Sequence, residues 1–445
     1  MLWATKECGR AELGDARLTQ RLVRLTASLS ENPESSVPVA AGSWASTKGA
    51  YRFFDNARVG PQRVLRSHRL ATVDRIKGRP IVLAVQDTTG FNFSTHRMTE
   101  GLGPIGPEYA QGFFLHSCLA VDTTKGTPLG LLWQQFWARD GQETGQKESA
   151  RWVNTMREVE KVVPDQTRVV MVGDRESDLF PLFGAAIADG CDVLVRATHN
   201  RKLEGEDPDL ARAVASAPKL GEYTIDVPRK GNLSARQTTL ALHAKRVTLR
   251  TPDVYRGQYN EPVAITVVCA YEIDPPTGSQ PIGWVLLTTL PVADAAEAAT
   301  MVRWYTYRWR IERFHFTLKS GCQVEDLQLE TRRRLENAIA VYSIVAWRLL
   351  WLTYEARENP DAPCTTVLSD DEWKSLYLAL NRKNIVKTHN VPTEPPTLQT
   401  AIIQIARLGG FLARKGDGDP GVKALWRGFR RLQDYVLIRQ AARFI

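Results

Sequence analysis

Two apolar runs that each stop on an aspartate constrain this chain most. Ile81 to Val85 ends in Gln86-Asp87, and Val169 to Val172 ends in Gly173-Asp174. Runs this short and this rich in valine, closed by polar or glycine residues, read as buried strands. Gly112 to Asp122 and Pro128 to Asp140 read as two further strands, so the first three make an antiparallel meander. A helical pattern then runs from about Glu148 to Val163 and is closed by Pro164. A helix from about Asp178 to Asp189 and a strand from Asp192 to Thr198 follow the second apolar run. Three strands followed by alternating helix and strand predict an α/β mixed sheet flanked by helices.

That order is the one found in the RNase H-like fold. Residues from about 199 to 292 interrupt it: Glu222 to Val227, Thr238 to Leu249, Val263 to Tyr271 and Trp284 to Thr288 are strand-like stretches separated by Pro- and Gly-bearing turns, which predicts an all-β insertion. Helix returns at Ala295 and is expected to continue to about Gly321, followed by a second long helix from about Arg333 to Glu358. The expected organisation is a helical N-terminal domain over 1–79, a catalytic domain over 80–330, a long helix over 331–360 that completes its core, and a helical C-terminal domain over 361–445.

Charge separates the first of these from the rest. Residues 1–79 hold fourteen Lys or Arg against seven Asp or Glu, an excess of seven out of a net charge of +9. Leu18, Leu22, Leu25 and Leu29 recur at helical spacing, and Arg17, Arg21 and Arg24 line a neighbouring face. Charged faces are most often merely solvated, but this concentration in one small helical segment points to DNA docking, where each neutralised phosphate releases counterions. The six cysteines are scattered without metal-ligand spacing and read as reduced thiols of a cytoplasmic protein. No stretch reads as a leader or as apolar and long enough to span a bilayer, so no membrane partner is expected.

Asp87 and Asp174 each stand at the carboxyl end of an apolar strand, where side chains leave the sheet and face a crevice. An aspartate there commonly does no more than end the strand or cap a turn. If the two strands are neighbours, however, the carboxylates converge; Glu176 and Asp178 lie past the strand and are weaker candidates. A third carboxylate sits on a more specific pattern. Tyr305, Arg308, Glu312 and Lys319 fall at i, i+3, i+7 and i+14 on one helical stripe, with His315 on the same side. A phenol, a guanidinium, a carboxylate and an ammonium make a poor core face, since each would need a buried partner. The other reading is a solvated face laced with Arg–Glu pairs, with Trp304, Trp309 and Phe316 covering the core side. Three carboxylates are what phosphoryl transfer at a DNA backbone requires, because they can hold two Mg²⁺ ions about 4 Å apart that activate the nucleophile and stabilise the departing oxygen.

The stripe resembles the Y-x2-R-x3-E-x6-K signature of DDE transposases from bacterial insertion sequences and composite transposons. Y-T-Y-R-W-R-I-E-R-F-H around Glu312, D-R-E-S-D at Asp174 to Asp178, Q-D-T-T at Gln86 to Thr89, G-A-Y-R-F at Gly49 to Phe53 and L-G-G-F at Leu408 to Phe411 look like the Tn-five-type members in particular. The resemblance implies cut-and-paste transposition with Asp87, Asp174 and Glu312 as catalytic and metal-binding carboxylates, two Mg²⁺ ions per site and Mn²⁺ as a substitute. It implies that Tyr305, Arg308 and Lys319 hold the DNA backbone, that Trp284 receives a base flipped out near a hairpin, and that Arg196 and His315 touch DNA. Read from pattern alone, Trp284 is a buried strand residue. The implied partners are transposon end repeats, target DNA and a second copy of the chain, in a homodimeric synaptic complex at the bacterial nucleoid. Val422, Leu425, Phe429, Leu432 and Val436 alternate spacings of three and four, which suits either a dimer seam or a helix pair within one chain. Two other classes compete: an end-binding protein that does not cut, and an RNase H-like nuclease on branched DNA, which would need neither the insertion nor the Y-R-E-K stripe.

Overall fold

The computed structural model describes residues 2–106, 109–139, 149–227, 235–259, 262–381, 392–414 and 417–441. The expected strand end at Asp140 and helix start at Glu148 lie outside them.

The chain opens with helices α1 (Leu2–Cys8), α2 (Ala16–Glu31), α3 (Val37–Ala41), α4 (Trp44–Asp55) and α5 (Pro61–Ile76). Strands β1 (Ile81–Asn92), β2 (Gly103–Pro104), β3 (Gln111–Asp122) and β4 (Pro128–Trp137) follow, then α6 (Ala150–Glu160), β5 (Arg168–Gly173), α7 (Phe180–Asp189) and β6 (Asp192–Arg196). β4 pairs with β3, β3 runs antiparallel to β1, and β1, β5 and β6 are parallel neighbours. This is the RNase H-like mixed sheet.

β1 is longer than its apolar run. It continues past Asp87 through Thr88, Thr89 and Gly90 to Asn92 because β3 pairs with it all along, from Val82↔Asp122 to Asn92↔Gly112. Asp87 therefore lies within a strand instead of ending one. On the other side the parallel ladder stops at Val85↔Val172, so β1 loses its β5 partner just before Asp87.

The insertion contains β7 (Leu203–Glu204), a helix α8 (Leu210–Ser216), β8 (Lys219–Val227), β9 (Arg236–Leu249), β10 (Val263–Glu272) and β11 (Gly283–Thr288). It is neither purely β nor a separate sheet. β11 pairs antiparallel with β6, so its strands extend the central sheet to eleven.

Alternation along the central strands divides the core into two layers. Leu83, Val85, Val170 and Val172 pack with Tyr305, Ile311 and Phe314 on one face, whereas Val82, Ala84, Val169 and Met171 pack with Trp152, Met156 and Phe183 from α6 and α7 on the other.

The expected helix from Ala295 to Gly321 is broken. It comprises α9 (Ala295–Thr306), α10 (Trp309–Phe316) and a π-helical turn over Thr317–Gly321. Tyr307, at the break, reaches the β3–β4 turn, where its hydroxyl donates to Thr124 O at 2.8 Å. Its ring lies against Gly126, at φ +71°, where a Cβ would stand 2.7 Å from the ring. Side-chain periodicity could not show that pull.

α11 (Arg332–Glu358) runs through the centre of the molecule. Contrary to the expectation from sequence, it is long and apolar enough to cross a bilayer, but 89% of its apolar window is buried inside the fold, as in the core helix of a globular protein. The C-terminal helices are α12 (Asp370–Leu380), α13 (Leu398–Leu408) and α14 (Val422–Ala441). Val422, Leu425, Phe429, Leu432 and Val436 are all buried within the single chain, where α14 packs on α12 and α13. That run serves an internal helix pair. The six cysteines are buried free thiols.

Candidate active site

Register brings the first two candidate carboxylates to one place. Val85 faces Val172 across the parallel ladder, and Asp87 and Asp174 each stand two residues further on. Equal offsets and a pleat of period two direct both side chains to the face of Val85 and Val172. α10, which carries Glu312, packs on that face against β1 and β3.

The carboxylates share one electrostatic environment. Burial pushes Asp87 up to about 7, repulsion from Asp174 and then Glu312 adds to this, and the Thr88 N–H and Arg308 work against it. Each carboxylate also has a protein partner. Asp87 Oδ1 accepts from Thr88 N at 2.8 Å, and Asp174 Oδ1 accepts from Glu176 N at 2.9 Å, capping a turn at Arg175–Ser177. Glu312 Oε1 accepts from Arg308 Nη2 at 2.5 Å. With the side chains so engaged, no three His, Cys, Asp or Glu among the described residues converge closely enough to hold a metal ion.

The Glu312 stripe is more buried than a solvated face would be. Tyr305 and Arg308 are 4% and 8% exposed, and Arg308 Nε is buried without a hydrogen bond among the described residues. Trp304 is buried, but Trp309 and Phe316 are 53% and 42% exposed, so the three aromatics do not form the core side together. His315 is buried with Nδ1 3.8 Å from Asp87 Oδ2, and burial, then the Lys319 charge, pushes its pKa down to about 3. Lys319, in the π-helical turn, donates to Gly90 O at 2.8 Å and pairs with Glu325 at 3.2 Å. π-Turns within helices are frequent at functional sites.

Trp284 is half-buried on β11 and meets the Tyr305 ring edge-on, centroids 5.7 Å apart. Arg196 Nη2 donates to Gly283 O beside it at 3.2 Å. Tyr305, Trp284 and Arg196 thus form one wall. Arg17, Arg21 and Arg24 are on a separate surface, exposed along α2, where they line a cleft of about 410 Å³ with Ala41, Ser46 and Ala50 of α3 and α4. Asp178 is engaged structurally: it is buried, pairs with Arg201 at 2.6 Å and accepts from the backbone N–H of Thr198 and His199.

Sequence reading missed Glu325. Besides Lys319 it holds Asn92 N at 2.8 Å, a contact across 233 residues that no local spacing announces.

Three family models match the chain. Transposase DNA-binding covers residues 1–59, the transposase DDE domain covers 105–348, and the transposase Tn5 dimerisation domain covers 344–445. The DDE match alone spans more than half of the chain. The protein belongs to the Tn5-type DDE transposases.

As such it is a transposase that binds DNA and dimerises. The DNA-binding match takes in the α2 arginines, and the dimerisation match begins inside α11 and includes α12, α13 and α14. Asp174, Trp284, Tyr305, Arg308, Glu312 and Lys319 fall within the DDE match, which begins after Asp87.

Proposed function

We propose that this transposase cuts transposon ends and joins them to target DNA by metal-assisted phosphoryl transfer, with Asp87, Asp174 and Glu312 as the metal-holding carboxylates. The observation that carries the reading is the matched position of Asp87 and Asp174 beneath the helix of Glu312. The donors suit Mg²⁺ or Mn²⁺: all are hard oxygens, and the burial and then the carboxylate repulsion that raise Asp87 are both what a dication would offset. Two bound ions would supply Lewis acidity, favouring deprotonation of the attacking water or 3′-hydroxyl and neutralising the departing oxygen.

The remaining roles belong to the chain. Arg308 holds Glu312 while no phosphate is present; a DNA phosphate is the stronger bidentate partner for its guanidinium, and the exchange frees Glu312. Lys319, which its contacts hold at the far end of β1, offers a point charge to the next phosphate oxygen. Tyr305 and Arg196 flank the backbone beside the cleaved terminus, and His315 backs Asp87. Trp284 lies where a base expelled from a tight hairpin could stack. In this reading residues 1–79 dock the end repeat, residues 80–330 with the helix to 360 perform the chemistry, and residues 361–445 join two subunits on paired ends at the nucleoid.

Purified protein, Mg²⁺ and DNA bearing the repeats that flank its own gene, resolved on a denaturing gel, test the reading. Nicked, hairpin and strand-transfer products are expected in succession. Binding without cleavage would make it an end-binding protein, and cleavage of branched DNA without strand transfer would make it a nuclease.

A further inference from the structure

On the face of β1 opposite Asp87 lies a histidine that the proposed chemistry does not use. His116 stands on β3 directly across from Thr88 and is completely buried. Its Nδ1 is 2.8 Å from Thr88 Oγ1 and its Nε2 is 3.0 Å from Gln86 Oε1. One ring thus ties both chain neighbours of Asp87. The Trp152 ring of α6 closes on the imidazole edge-on, centroids 4.8 Å apart.

The hydrogen bonds select one tautomer. Gln86 turns its amide nitrogen to Met171 Sδ at 3.2 Å, which leaves its oxygen to accept. Nε2 therefore carries the proton, and Nδ1 accepts from the Thr88 hydroxyl. Burial pushes the imidazole down to about 3, with the Arg151 charge acting in the same direction, so it stays neutral. The ring is a fixed strut between two side chains.

A strut is needed at this point of the strand. Up to Val85 the backbone of β1 is held on both sides, by β3 and by β5; from Gln86 onward only the β3 ladder remains. The open side gives Asp87 its crevice and also gives the strand freedom to shift. A buried hydrogen bond fixes Gln86 and a half-buried one fixes Thr88, and with them the pleat that aims the carboxylate between them.

We infer that His116 is a positioning residue, setting the direction of the Asp87 carboxylate through Gln86 and Thr88. The inference rests on the proposed role of Asp87. Partners that orient a ligand from behind are typically worth about tenfold to a hundredfold in metal affinity or activity.

The test uses the full-length protein and a duplex carrying the end repeat that flanks its gene. The variants are His116→Leu, His116→Asn, Thr88→Val and the His116→Leu/Thr88→Val pair. Three quantities are measured: nicking rate with Mg²⁺, duplex affinity, and Mn²⁺ affinity by calorimetry without DNA. His116→Leu is expected to lose about tenfold to a hundredfold in both nicking and Mn²⁺ affinity while duplex affinity stays within about twofold. His116→Asn, whose amide can reach Thr88, should recover part of the loss, and the double variant should be no slower than His116→Leu alone. Normal nicking in a folded His116→Leu protein, losses that follow duplex affinity or stability, or multiplying effects in the pair would each overturn the inference. Should His116→Leu fail to fold, Thr88→Val decides, since unchanged Mn²⁺ affinity and nicking there give the same negative answer. Asp87→Asn separates the two layers: if it nicks at the normal rate the role of Asp87 fails, whereas an inactive Asp87→Asn beside a fully active His116→Leu removes only the strut.

Discussion

Asp87, within β1, and Asp174, one residue past the end of β5, each stand two residues beyond the facing pair Val85 and Val172 of the parallel ladder. A single residue of slip in that ladder would send one carboxylate to the opposite face of the sheet. The apolar sequences that set the register therefore also aim the two aspartates.

Replacing Asp87, Asp174 or Glu312 with alanine should abolish nicking and strand transfer and leave end binding largely intact, because phosphate contacts elsewhere supply most of the affinity. Gel assays of cleavage beside a binding titration check this. An alanine variant that cuts at the normal rate would remove that residue from the set.

Trp284 separates base capture from simple packing. Its half-buried place against Tyr305 gives it less to lose than a core tryptophan, whose truncation costs about 3–5 kcal/mol and depresses every step together. Trp284→Ala should leave first-strand nicking near normal and slow hairpin formation or resolution, so that nicked DNA accumulates. Uniformly lowered rates with a lower thermal midpoint would return Trp284 to a structural role.

Charge reversal at Arg17, Arg21 or Arg24 should weaken binding to the end repeat and flatten its dependence on salt by about one unit of slope per lost phosphate contact. All three are exposed on one cleft of α2. Unchanged affinity and slope in every variant would move the docking surface elsewhere.

Acid stability should reflect a buried cluster between the N-terminal helices and the sheet. His68 Nδ1 donates to Glu7 at 2.7 Å, its Nε2 accepts from Leu131 N at 3.0 Å, and Arg75 grips Glu7 at 2.7 Å. Burial acts to raise Glu7, but the His68 hydrogen bond and the Arg75 charge outweigh it and hold the carboxyl at about 2, below its ordinary 4.5. Burial holds His68 below its ordinary 6.5. Both folded values are depressed, so the unfolded chain takes up protons first as the pH falls. The contribution is intact above pH 6.5 and is lost progressively below it, most steeply from 4.5 towards 2. Glu7→Ala should cost about 3–5 kcal/mol at neutral pH by leaving Arg75 without its buried partner. The thermal midpoint of Glu7→Gln should then fall less steeply with acid than that of the parent; equal slopes would show that the cluster does not govern acid unfolding.

Sequence alone determined the elements whose cause is local. Valine-rich runs specify β1 and β5 because strands buried on both faces need them, and the order of strands and helices specifies the mixed sheet. The residues around Glu312 disclosed the family because phosphate chemistry leaves polar side chains where a core face would be apolar. Contacts between distant segments decided the rest. β1 runs on through Gly90 because β3 pairs with it, and the helix of Glu312 breaks at Tyr307 because that side chain is drawn to the β3–β4 turn. The C-terminal apolar seam closes inside one chain because α12 and α13 cover it. His116 and Glu325 reach the strand of Asp87 from 30 and 233 residues away. Such partners leave no periodic trace, because the free energy that selects them comes from burial and hydrogen bonding formed only when the sheet closes.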